Sequence, residues 1–151
     1  MVPSANDEAD NVRAALEWGL ENHPEENVRL AANFCIVSSM LPGALAEGVA
    51  AAKEAVERVR SLGGESGEAD LRRQRLIVRA MFAMGMMSMG VGDNPSAVQA
   101  LREAISLSRT INDRRMLGYS LEMYFNATGF LYMPDREEAA RRLCHLQPGN
   151  P

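Results

Sequence analysis

Few residues in this sequence are equipped for chemistry. Cys144-His145 sets a thiol beside an imidazole, Cys35 is the other thiol, and His23 is the other imidazole. A nucleophile needs its base within hydrogen-bond reach, and neighbours at i and i+1 on a helix point apart. Cys144-His145 is therefore a poor candidate for a dyad. His23, in Asn22-His23-Pro24, falls at a helix end and reads as a capping or solvated side chain. The doublets Glu25-Glu26 and Glu137-Glu138 open helices, where the dipole favours acids, so they are assigned no catalytic role. No His-x-x-x-His, Cys-x-x-Cys or Glu-x-x-His spacing occurs, so no metal-ligand pattern is met. Gly63-Gly64-Glu65-Ser66-Gly67 lacks the preceding strand and following Lys-Ser/Thr of a phosphate loop and reads as a mobile linker. The expectation is a non-enzyme with no catalytic residue, cofactor or metal.

Two constellations suit binding instead. Arg72, Arg75 and Arg79 recur at spacings of three and four, so they share one helix stripe that runs on into Phe82 and Met86. A basic-to-apolar stripe could receive an acidic or amphipathic peptide. The bland alternative is a solvated face that later enters the core. Tyr119, Glu122 and Asn126 repeat that spacing on a later helix and could line the same groove. Met81, Met84, Met86, Met87 and Met89 read first as adaptable core and second as a promiscuous surface.

These residues need helices to hold them. The chain has 151 residues, enough for one domain with a sizeable core. It is 46% hydrophobic and 24% charged, a soluble rather than a disordered balance. Alanine is frequent and β-branched runs are nearly absent, which favours helix. The net charge of −4 disfavours nucleic-acid binding. Two cysteines do not make a disulfide framework, and both read as small buried hydrophobes in a reducing cytoplasm. The start, MVPSANDEAD, has neither a basic nor an apolar region of a secretory signal. The longest apolar run, Ala80–Val91, is too short for a bilayer.

Seven helices are expected. The first covers Asp7–Glu21, with Val12, Ala15, Leu16, Gly19 and Leu20 inward and Trp18 at the margin. The second, Pro24–Leu41, is nearly all apolar from Leu30 and is therefore expected to be covered by neighbours. The third is Ala44–Leu62 and the fourth Glu68–Met89. The fifth follows Gly92-Asp93-Asn94-Pro95, with Asn94 as cap and Pro95 at the first helical position. Arg114–Leu131 is the sixth, with Leu117, Leu121, Tyr124, Phe125 and Thr128 inward. The seventh starts at Asp135, whose spacing to Glu138 suits a capping box, and buries Ala139, Leu143 and Leu146. The domain spans 7–146, between a disordered 1–6 and a frayed 147–151.

Ala51-Ala52-Lys53-Glu54-Ala55-Val56 matches Ala100-Leu101-Arg102-Glu103-Ala104-Ile105, and Gly43 matches Gly92 at the same offset. A weaker third copy begins at Asp135. With Gly85, Gly92-Asp93, Ala97, Leu101, Glu103-Ala104-Ile105 and Asp113, the chain resembles a tetratricopeptide-like array of helix hairpins. Its spacings are longer than the 34 residues of the standard unit. Asp10-Asn11-Val12-Arg13-Ala14-Ala15-Leu16-Glu17-Trp18 resembles the stretch that opens the helical region of large bacterial signalling regulators. Those are nucleotide-switch ATPases, transcriptional activators and some cyclases. The resemblance implies an all-α, short right-handed superhelix that is a piece of a larger regulator. In such arrays the first helix of each pair lines the concave surface. The implied function is to bind a protein or peptide segment there, through Arg72, Arg75, Arg79, Phe82, Tyr119, Glu122 and Asn126. No nucleic acid or membrane is expected as a partner. Homo-oligomerisation through uncapped ends is the alternative, and an enclosed small-ligand sensor pocket is the third.

Overall fold

The computed structural model describes residues 5–41, 43–63 and 66–131. Among them there are six α-helices and no strand: α1 (Ala5–Asn22), α2 (Pro24–Val37), α3 (Leu45–Ser61), α4 (Glu68–Gly90), α5 (Asn94–Thr110) and α6 (Arg114–Leu131). The protein is all-α, built of antiparallel hairpins. The seventh helix expected from Asp135 lies outside the described residues.

Each helix packs on the next, and α2 also packs on α4 and α4 on α6. The first helices of successive hairpins thus form one row, and α3 and α5 form the other. The offset seen in the sequence is carried into the fold. Leu45–Ser61 and Asn94–Thr110 are both 17 residues long. Ala52, Ala55, Val56 and Val59 are buried at the positions that Leu101, Ala104, Ile105 and Ser108 hold in α5.

The turns after α4 and α5 share one construction. Asp93 N–H donates to the Ser88 carbonyl and Asp113 N–H to the Ser108 carbonyl, both at 2.9 Å. Gly92 (φ 78°) and Asn112 (φ 55°) take the left-handed conformation that this ending requires. Each aspartate then caps the next helix. Asp93 Oδ1 accepts from Ser96 N–H at 3.2 Å, and Asp113 Oδ1 from Met116 N–H at 3.0 Å. The sequence signal is Ser-x-x-x-Gly/Asn-Asp, at 88–93 and again at 108–113. The expected cap at Asn94 is corrected to Asp93. Asn94 opens the helix and Pro95 follows it, because the residue that ends one helix also starts the next.

Small residues set the closest crossings. A Cβ on Gly85 would stand 2.5 Å from Leu101 Cγ, and one on Gly48 would stand 2.9 Å from Cys35 Cα. Between α1 and α2, a Cβ on Gly19 would meet the end of the Asn27 side-chain amide at 2.9 Å. Asn27 is buried. With its amide turned as hydrogen bonding dictates, it donates to the Leu16 carbonyl at 3.2 Å and accepts from Leu20 N–H at 3.3 Å.

Three further expectations change. α1 starts at Ala5, which puts Asp7 and Glu8 in its first turns. Ala15 is exposed rather than inward. α2 ends at Val37 and continues as a 3-10 turn, Ser38–Met40. The expected cover on two flanks is present, since α1, α3 and α4 pack on it, while Ile36, Val37 and Met40 stay exposed. Hydrophobicity alone gives the propensity to be buried. Whether a neighbour exists on each side is set by the array.

Candidate functional site

Helix α4 supplies the basic stripe. Its inward side, with Ile77, Val78, Met81 and Met84 buried, leaves Arg72, Arg75 and Arg79 in solvent and Phe82 and Met86 half-covered. Met87 and Met89 are likewise half-buried. The expected stripe therefore exists as a continuous line along one side of α4. Arg72 to Phe82 is ten positions, about 15 Å of helix.

Helix α6 supplies the second group. Leu121, Tyr124 and Thr128 face the core, and Tyr119, Glu122 and Asn126 are exposed. Phe82 and Tyr119 meet across the two helices, with ring centroids 6.3 Å apart and planes tilted by 42°. Arg115 lies over the Tyr119 ring at 5.6 Å, and its Nε donates to Tyr119 Oη at 3.4 Å. That hydrogen bond raises the guanidinium above its ordinary pKa. The structure thus joins Phe82 to Tyr119 and adds Arg115, which the sequence reading did not single out. Arg72, at the start of the stripe, faces Glu26 of α2 at 3.6 Å. The arginines and the α6 trio occupy successive levels along the face.

Arg73 was missed, and it does different work. It is buried, its Nε and Nη2 donate to Glu25 Oε1 at 3.3 and 3.2 Å, and its Nη1 donates to the Gly63 carbonyl at 3.4 Å. It ties the start of α2, the end of the α3 segment and α4 together. One position off the stripe, it faces the other side of the helix. No local pattern pairs it with Glu25, 48 residues away.

Other charged side chains pair between helices. Arg13 makes a bidentate pair with Glu47, at 2.6 and 3.0 Å, and a 2.6 Å contact with Asp10. The Arg13 hydrogen bond holds the Glu47 carboxyl below its ordinary value. Arg60 pairs with Glu103, linking α3 to α5. Cys35 is fully buried, and burial pushes its thiol up to about 12. Cys144 and His145 lie outside the described residues. Among the described residues no three His, Cys, Asp or Glu side chains gather as a metal site would require, and no helix is long and apolar enough to cross a membrane.

The exposed row on α4 and α6 can therefore offer cation and ring contacts to a segment laid across it. Over residues 70–129, which cover α4 to α6, the chain is similar to the family model described as anaphase-promoting complex subunit 5. That match takes in less than half of the chain. No curated protein and no solved structure compared with the chain gives a match.

Proposed function

We propose that this chain is a non-catalytic protein-interaction module of the helical-repeat kind. A partner segment, acidic or amphipathic, lies along the α4 and α6 face. Arg72, Arg75 and Arg79 engage its carboxylates. Phe82 and Tyr119, with Glu122 and Asn126 beside them, take an apolar side chain and its polar flanks. The observation that carries this reading is the Phe82–Tyr119 contact at the end of an unbroken arginine row. It gives one face an apolar anchor beside three exposed arginines, on a chain whose net charge is −4. Aromatic and arginine side chains are the residue types that most often dominate interface energies. Similarity to a subunit of a large complex supports a scaffold rather than an enzyme. The α1 stretch Asp10–Trp18 supports a place in the helical region of a bacterial signalling or transcriptional regulator, in the cytoplasm.

The test uses fluorescence anisotropy with a labelled amphipathic peptide carrying Glu at helical spacing and one Leu. Replacing Arg72, Arg75 and Arg79 together by alanine should weaken binding about tenfold, since exposed ion pairs contribute roughly 0.2–1 kcal/mol each. The same change should flatten the salt dependence. Tyr119→Ala should weaken binding without changing the salt slope. An affinity unchanged by the triple replacement removes the reading.

A further inference from the structure

The second helices of the two hairpins, α3 and α5, both pack on α4 and leave a cleft of about 270 Å³ between them. Its floor is apolar: Val56 of α3, Met81 and Met84 of α4 and Ala100 of α5, all buried. One ion pair sets its register. α3 and α5 run in the same direction, because each is antiparallel to α4. Arg60 of α3 pairs with Glu103 of α5 and closes one end. One turn back Glu57 stands level with Gln99, and a further turn back Lys53 stands level with Ser96.

Three lining groups have unused hydrogen-bonding or charge capacity. Ser88 of α4 is only 3% exposed, and among the described residues its hydroxyl meets no partner. Ser38, Ser39 and Ser61 instead donate their hydroxyl protons to carbonyls of the preceding turn. Ser108, the counterpart of Ser88 at the next corner, is also unpartnered but is sealed from any ligand. A buried hydroxyl that opens on a cleft has an unmet hydrogen bond to offer. On the rim, Lys53 and Glu57 are exposed and neither forms an ion pair. Lysine before glutamate is the poorer order for pairing along a helix, and their Cβ atoms are roughly 6 Å apart at that spacing. A cation and an anion thus flank one apolar floor. Asp93, at the other end, is occupied in capping α5.

We propose that this cleft binds a free α-amino acid with an apolar side chain. Its carboxylate accepts from the Lys53 ammonium and the Ser88 hydroxyl. Its ammonium donates to the Glu57 carboxylate and the Gln99 side-chain carbonyl. Its side chain lies on Val56, Ala100 and the two methionines, which adapt to the shape they meet. A carboxylate without an ammonium would face Glu57 with like charge. An amine without a carboxylate would leave Lys53 and Ser88 unmet. The volume falls just below the range for drug-sized ligands and suits a molecule of about nine non-hydrogen atoms, such as leucine or methionine. Neither the α4 arginine stripe nor Tyr119 lines this cleft, and the proposal does not rest on the peptide-binding reading.

The test is isothermal titration calorimetry on the full chain with L-leucine and L-methionine. Each should bind with a dissociation constant of about 0.1–1 mM, the strength that so few atoms allow. Isoamylamine, which is leucine without its carboxylate, should bind at least about tenfold more weakly, and isocaproate, which lacks the ammonium, at least about threefold. Ser88→Ala should weaken leucine binding about tenfold and Lys53→Ala about threefold, with unchanged helical circular dichroism. Replacing Arg72, Arg75 and Arg79 by alanine should leave leucine binding as it is, which separates this site from the peptide face. No saturable heat from either amino acid at concentrations well above that range would overturn the proposal. So would an analogue that matches leucine on the wild-type chain, or a leucine affinity indifferent to both Ser88→Ala and Lys53→Ala.

Discussion

The α2–α3 hairpin and the α4–α5 hairpin place equivalent residues at one offset, yet they are closed by different chemistry. The α4–α5 turn has three residues, a left-handed glycine and an aspartate cap. The α2–α3 connection passes through the 3-10 turn Ser38–Met40. Gly43 there has a φ of 77°, and α3 has no side-chain cap. The crossings differ too. In one hairpin the small residue is on the second helix, Gly48; in the other it is on the first, Gly85. Packing periodicity is the shared constraint, and local sequence meets it by more than one route. The difference also decides what stays uncovered. Met81 and Met84 are buried in α4, whereas Met40, Val37 and Ile36 project from the α2 end.

The largest test of this comparison is at the crossings. Gly48→Ala puts a methyl against Cys35 backbone, which cannot move aside, and should cost about 3 kcal/mol. Gly85→Ala meets Leu101 Cγ, a side-chain carbon that can give more than backbone does, and should cost about 1–2 kcal/mol. Urea denaturation midpoints measure both, and the reverse order would show that the second hairpin is the tighter one. Next come the neighbouring arginines that join the hairpins. Arg73→Ala strands the partly buried Glu25 carboxylate and should cost about 3 kcal/mol. Arg72→Ala breaks only an exposed pair and should change stability by less than about 0.5 kcal/mol.

Smaller effects belong to the turns. Asp113→Ala should lower stability by about 1 kcal/mol through loss of a helix cap. Asp93→Ala should act in the same direction. The Ser96 hydrogen bonds hold the folded Asp93 carboxyl below its ordinary value of 3.8. Its stabilising effect is therefore complete above that pH and is lost as pH falls through the folded value. The thermal-melt gap between wild type and Asp93→Ala should close on acidification. The smallest signal is an absence: in a Cys144→Ser background, Cys35 should resist a thiol reagent at pH 8 until the protein unfolds.

Sequence made the helices legible because their apolar spacing is strong. Arg114–Leu131 stands where the pattern put it, and Leu45–Ser61 lies within one residue of its expected ends. The cap shifted from Asn94 to Asp93 because either residue can cap, and only the paired turn at Ser108–Asp113 shows which does. The stripes on α4 and α6 were readable one helix at a time. Their meeting at Phe82 and Tyr119 depends on how far one hairpin slides along the next, which no local spacing encodes. Arg73 and the uncovered end of α2 were illegible for the same reason: each is defined by a neighbour distant in the chain.

The double use of Asp93 and Asp113 has a consequence for how this protein can vary. One residue finishes a coil and begins another, so these two corners have no spare length. A residue added between Ser88 and Asp93, or between Ser108 and Asp113, would undo a stop and a start at once. Insertions and deletions should therefore accumulate at the α2–α3 and α3–α4 joins, where among the described residues no aspartate both ends one helix and caps the next.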